Sequence, residues 1–214
     1  TPLIYKMSVI HFDQMPTRSL SHGFNEWDRG NLYEGTDMEK ATFKLNIFEN
    51  TVNALGVGVD VYMDKLCYID INTNNSEALS AIAEKCVGEM IKLKNGGKIG
   101  VCCTVPLEST ENSNNLARMT YNNEVRALCQ NNGLYLLDIA DIESAGGSVV
   151  HNDILALKGE FSSDTGHLNG LGAQTVAKAL YSIAAHIVSG GSATVTNHCV
   201  VKYICEGRDI QASL

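Results

Sequence analysis

The 214-residue chain has no apolar run near the roughly 18 residues that a membrane-spanning helix needs. Its first residues, TPLIYKMSVIHF, lack the charged start, long apolar middle and small-residue cleavage site of a signal peptide. The chain opens on Thr1 rather than Met, which leaves room for a removed upstream segment. Positive charge is scarce as well. Lys and Arg number 16 against 24 Asp and Glu, a net charge of −8, and the basic residues are scattered. Phosphate binding needs them clustered, so a nucleic-acid partner is not expected. There is no CxxC spacing, no internal repeat and no long linker. The seven cysteines (67, 86, 102, 103, 129, 199 and 205) form an odd set in a chain that is not small. That argues against a disulfide scaffold or a zinc site and fits a reducing, cytoplasmic compartment. His11, His22, His151, His186 and His198 show no metal-ligand spacing, and His186 reads as a partly exposed surface residue.

What is present is alternation. Short apolar runs at 59–63, 98–103, 133–137 and 199–205 read as buried strands. Between them lie helical patterns. One spans 37–55 after a Thr36 cap, with Phe43, Ile47, Val52 and Leu55 on one face. A second spans 76–94 after a Ser76 cap, with Leu79, Ile82, Ala83, Cys86, Met90 and Leu93 in register. Residues 113–131 and 171–187 continue the series. Strands alternating with helices predict one α/β domain over 1–214, a three-layer α/β/α sandwich with a mainly parallel sheet. Ligands in such folds bind beyond the carboxyl ends of the strands. One Gly/Ser connector, 189–193, is followed by a strand rather than a tail, which is unusual for a domain whose last helix looks complete.

The stretch SSDTGHLNGLGAQTVAKAL, 162–180, sets Asp164 and His167 three residues apart ahead of a helix. The pair can be a helix cap and a backbone-bonded turn histidine. It can also be a carboxylate orienting a general base. Asp-x-x-His followed by LNGLGA resembles the last sequence block of the SGNH (GDSL-type) hydrolases, which include esterases, lipases and carbohydrate deacetylases. Other segments are similar to one branch of that family. They are VDVYMDKLCYIDIN (59–72), TVPLE (104–108), LLDIADIES (136–144), and RMTYNNEVRALC with Arg118, Tyr121, Asn122 and Arg126. Gly30-Asn31 resembles the second block, whose glycine amide contributes to the oxyanion hole. Asn72, with Asn74 in reserve, stands where the third block supplies an Asn side chain. The resemblance covers about residues 23–187 and implies a flavodoxin-like SGNH fold.

The family's nucleophilic serine follows its first strand. Ser8, Ser19 and Ser21 do not sit in a strand-to-helix turn beside a glycine. VVKYICEGRDIQASL at the other end does read as strand, turn and helix start. Aligned on Gly207 and Ile210, it puts Cys205 at the serine position. The chain therefore resembles a circular permutation, with the first strand and the start of the first helix moved to 199–214 and 189–193 as the new join. Leu214 would lead into Thr1. Permutation is tolerated where native termini lie close together at the surface. A thiol is a competent nucleophile, and His167 and a helix N-terminus would both lower its pKa. The alternative for Cys205 is a buried strand cysteine.

The resemblance implies an ester hydrolase or deacylase acting on a small-molecule or carbohydrate ester. Cys205, His167 and Asp164 would form the triad, Gly30 and Asn72 the oxyanion hole, with no metal or organic cofactor. Asn31, Asp70 and Glu143 are candidate substrate contacts. Asp70 can equally be a strand-end cap, and Glu143 and Ser144 lie in a loop past a strand. A binding protein on the same scaffold with an impaired nucleophile, or an acyltransferase using the same site, are the alternatives.

Overall fold

The computed structural model describes residues 35–55, 61–109 and 113–197. Its elements in chain order are α1 (Asp37–Leu55), β1 (Val61–Met63), α2 (Ser76–Asn95), β2 (Ile99–Cys103), α3 (Ser113–Asn132), β3 (Tyr135–Leu137) and α4 (Ile139–Glu143). The hairpin strands β4 (Val150–His151) and β5 (Ile154–Leu155), then α5 (Gly170–Val188) and β6 (Val195–Thr196), complete them. Single 3-10 turns occur at Tyr68–Asp70 and Gly159–Phe161.

The main sheet has the order β1-β2-β3-β6 and every pairing is parallel. Side chains alternate between its faces, as the pleat requires. Tyr62, Cys102 and Leu136 join a core with Leu79, Ile82, Met90, Tyr121 and Val125 from α2 and α3. Val101, Cys103 and Leu137 point the other way and meet Ala179, Ile183 and Ile187 of α5. Helices thus cover both faces of the sheet, which is why its strands read as near-continuous apolar runs. Gly100 serves the first core: a Cβ there would lie 2.8 Å from the Met90 sulfur. The missing side chain lets α2 approach the strand closely.

Three details differ from the sequence expectations. The core face of α1 is Ala41, Leu45, Phe48 and Val52, while Phe43 is exposed. The apolar pattern misleads because two buried positions of α1, Asp37 and Lys44, carry charges. The cap of α2 is Asn75, whose side chain accepts from the amides of Glu77 and Ala78, so Ser76 is already helical. The segment 138–144 is not a loop but contains a short helix, capped by Asp138.

The connector 189–193 is held in place. The ring of His186 bonds the Ser192 carbonyl at 2.8 Å, and a Cβ at Gly191 would meet that ring at 2.3 Å. The chain then enters β6, parallel to β3. The displaced first strand expected at 199–205 lies outside the described residues, as do 206–214. Among the described residues no helix is long and apolar enough to cross a membrane.

Candidate active site

Asp164 and His167 form a pair within one small loop. The loop is closed at its base by a bridge between Ser162 and Leu168 and by the Asn169 amide donating to the Phe161 carbonyl at 2.8 Å. Inside it, Asp164 Oδ1 accepts from the backbone amides of Gly166 (2.8 Å) and His167 (2.7 Å). Its other oxygen, Oδ2, meets His167 Nδ1 at 2.8 Å. Those two amides, then the imidazole, hold the carboxyl down at about 2. A carboxylate can only accept, so Nδ1 carries a proton, and in the neutral imidazole Nε2 is the nitrogen with the lone pair. The helix that follows is capped by Asn169, whose side chain accepts from Leu171 and Gly172. Asp164 is therefore free of the capping role.

The loop stands on the sheet's carboxyl-end side through its neighbours. The Ser109 amide donates to the Thr165 carbonyl at 2.8 Å, joining it to the segment after β2. The Tyr68 ring, in the segment after β1, meets the His167 ring edge-on with centroids 5.9 Å apart. Below, Leu107, Ala140, Leu157 and Phe161 form a separate apolar cluster with Leu168 packed against it. Gly172 fits here because a Cβ would fall 2.5 Å from the Phe161 carbonyl oxygen. The LNGLGA pattern thus has a packing reason: α5 starts in contact with the turn that precedes the Asp–His loop.

Arg118, 1 % exposed, organises the surroundings. Its Nε donates to the Tyr68 carbonyl (2.9 Å), its Nη1 to Glu108 (2.6 Å) and Asn115 (2.8 Å), and its Nη2 approaches Asn72 Oδ1 at 3.5 Å. Asn122 clamps Val105 through both its amide and its carbonyl. Arg126 forks onto Asp138 with contacts of 2.7 and 2.8 Å. The polar residues of the RMTYNNEVRALC segment are thus the braces of the strand-end loops.

Asn72 is half-buried beside this group. Its backbone amide is committed to Asp37 at 2.5 Å, and its Nδ2 donates to the Ile69 carbonyl. A carboxamide nitrogen carries two protons, and among the described residues only Ile69 accepts one of them. Asn74 is exposed. Asp70 and Glu143, expected to touch substrate, do not face outward. Asp70 is 1 % exposed and accepts from Lys44 Nζ (2.5 Å) and the Cys67 amide (2.7 Å), the return bond of a capping box in which Cys67 is the N-cap of the Tyr68–Asp70 turn. Glu143 is equally buried and accepts from the Leu107 amide at 2.9 Å; burial pushes its carboxyl up to about 7. Ser144 is buried and bonds the Ala140 carbonyl. Cys205, Gly30 and Asn31 lie outside the described residues.

Tyr68, Glu108 and Asn115 were not predicted as parts of the site. The first two lie inside segments that the sequence matched as blocks, but nothing in their spacing marks them. Among the described residues no group of three or more His, Cys, Asp and Glu is placed to hold a metal ion. Comparison of the chain with known protein families, with curated proteins and with solved structures finds no match in any of the three.

Proposed function

We propose that the chain is a carboxylic ester hydrolase of the SGNH type: a three-layer α/β/α domain whose first strand has moved to the C-terminus. The observation that supports it most is the 2.8 Å contact between His167 Nδ1 and an Asp164 carboxylate locked by two backbone amides. In this reading the Cys205 thiol loses its proton to His167 Nε2 and its sulfur attacks the ester carbonyl. The resulting oxyanion is stabilised by the amides of Gly30 and of the Cys205 turn and by the uncommitted Asn72 proton. The alcohol leaves with the proton from His167. Water, deprotonated by the same nitrogen, then releases the acid from the thioester. Asp164 holds the tautomer and offsets the imidazolium charge. The chemistry uses no metal or organic cofactor, and the substrate is a short acyl ester of a small molecule or carbohydrate.

The decisive experiment is hydrolysis of p-nitrophenyl acetate. His167→Ala should lower kcat/KM by about a thousandfold or more, with a smaller loss for Asp164→Asn. Near-native activity in His167→Ala would end the reading. An alcohol competing with water for the acyl group distinguishes hydrolysis from acyl transfer by product partitioning. The permutation has its own test: a gene that opens the chain within 189–193 and places 194–214 ahead of Thr1 should fold and hydrolyse as the original does.

A further inference from the structure

We propose that Tyr68 is a positioning residue for His167, an inference that deepens the ester-hydrolase reading and rests on His167 as its base. An imidazole held through Nδ1 alone can still swing about that bond, and the His167 side chain is 59 % exposed. A base needs its free nitrogen aimed, because a displacement of about 1 Å can cost a hundredfold in rate. Tyr68 supplies the wall. Its ring stands at 78° to the imidazole with centroids 5.9 Å apart, the edge-to-face arrangement that aromatic quadrupoles favour.

The wall is itself fixed from three sides. The Arg118 guanidinium lies 5.2 Å from the Tyr68 ring centroid while its Nε holds the Tyr68 carbonyl. Arg118 in turn is buried and tied to Glu108 and Asn115. The third side is Gly166, one residue before the histidine. A Cβ there would lie 2.7 Å from Tyr68 Cζ and 2.8 Å from its hydroxyl oxygen. Gly166 is outside the left-handed region, so the glycine is required by space rather than by backbone conformation. Asp164-Thr165-Gly166-His167 and Tyr68 thus interlock: the glycine makes room for the ring, and the ring bounds the imidazole.

The test uses Tyr68→Leu, Tyr68→Phe and Gly166→Ala, with the His167 side-chain resonances and their pH titration followed by NMR alongside p-nitrophenyl acetate kinetics. Tyr68→Leu should move those resonances beyond their line width and lower kcat by about tenfold at unchanged KM. Tyr68→Phe keeps the ring and should restore both. Gly166→Ala displaces the ring without removing it and should act as Tyr68→Leu does, so the proposal stays testable if the leucine variant fails to fold. Unchanged His167 resonances in Tyr68→Leu or Gly166→Ala overturn the proposal, as does an unchanged kcat in a protein that His167→Ala inactivates. A wild-type protein without esterase activity whose resonances still move overturns the hydrolase reading alone and leaves Tyr68 fixing the imidazole.

Discussion

Glu143 and Leu107 are joined by a 2.9 Å hydrogen bond, side-chain oxygen to backbone amide, at a point where both residues are sealed from solvent. The Glu143 carbonyl also accepts from the Lys158 amide. One residue therefore links the segment after β2 to the strand-end segment that leads into the Asp–His loop. Its carboxyl titrates at about 7, against 4.5 ordinarily, because burial disfavours the charge. The folded protein thus holds this proton where the unfolded chain has released it, and stability falls as pH rises from about 4.5 to 7. The effect is roughly 3 kcal/mol for such a shift. Buried Asp64, pushed up to about 6 by burial and with no hydrogen-bond partner for Oδ1 among the described residues, acts in the same direction at slightly lower pH. Glu143→Gln should match wild type near pH 4 and be more stable at pH 8, by about 1–3 kcal/mol. Urea denaturation at the two pH values measures it, and parallel curves would be the contrary result.

The Lys44–Asp70 pair predicts a large loss. Both side chains are almost wholly buried, and Asp70 also accepts from the amide of Cys67, the N-cap of the turn that carries Tyr68. Lys44→Met leaves a buried carboxylate without its counter-charge. A destabilisation of about 3–5 kcal/mol is expected in chemical denaturation. A change below 1 kcal/mol would mean that water compensates Asp70.

Two glycines of LNGLGA should behave oppositely. Gly172→Ala forces its Cβ toward the Phe161 carbonyl and should destabilise by about 1–3 kcal/mol. Gly170→Ala meets no atom within 4 Å and should be neutral or stabilising by up to about 1 kcal/mol, since alanine favours the helix. Thermal midpoints of the pair give the comparison.

Thiol labelling separates the cysteines. Cys67, Cys102, Cys103 and Cys129 are buried, and burial raises the Cys86 thiol to about 12 and the Cys103 thiol further. All five described thiols should resist iodoacetamide in the native state at pH 8. If Cys205 is the nucleophile, mass mapping should find it alkylated first. Early labelling of Cys67 or Cys129 with Cys205 untouched would remove it from that role.

The sequence exposes the fold where burial is one-sided and continuous. Runs such as 99–103 and the Leu79–Leu93 face of α2 were legible because nothing competes with the apolar pattern there. It hides the fold where short polar side chains do the work. Asn75 and Asn169 cap helices one residue away from serine and glycine that look equally suitable. The β4–β5 hairpin turns on Asn152 and Asp153, both at positive φ, yet its strands are only two residues each and carry no readable alternation. In the site, the Asp164–His167 pair was legible because its partners are three residues apart. The Arg118–Tyr68 contact spans fifty residues, and Asp70 and Glu143, which read as candidate substrate contacts, are buried in the fold.

That short separation has a consequence for how activity would be lost. A contact between residues three apart, closed by a bridge from Ser162 to Leu168, costs almost no loop entropy to form. It can persist while distant parts of the molecule open. Mild denaturant should then abolish function before the pair comes apart, through loss of register between this loop and the elements that must meet it. Partial unfolding would leave the Asp164–His167 contact formed with nothing aligned to meet it.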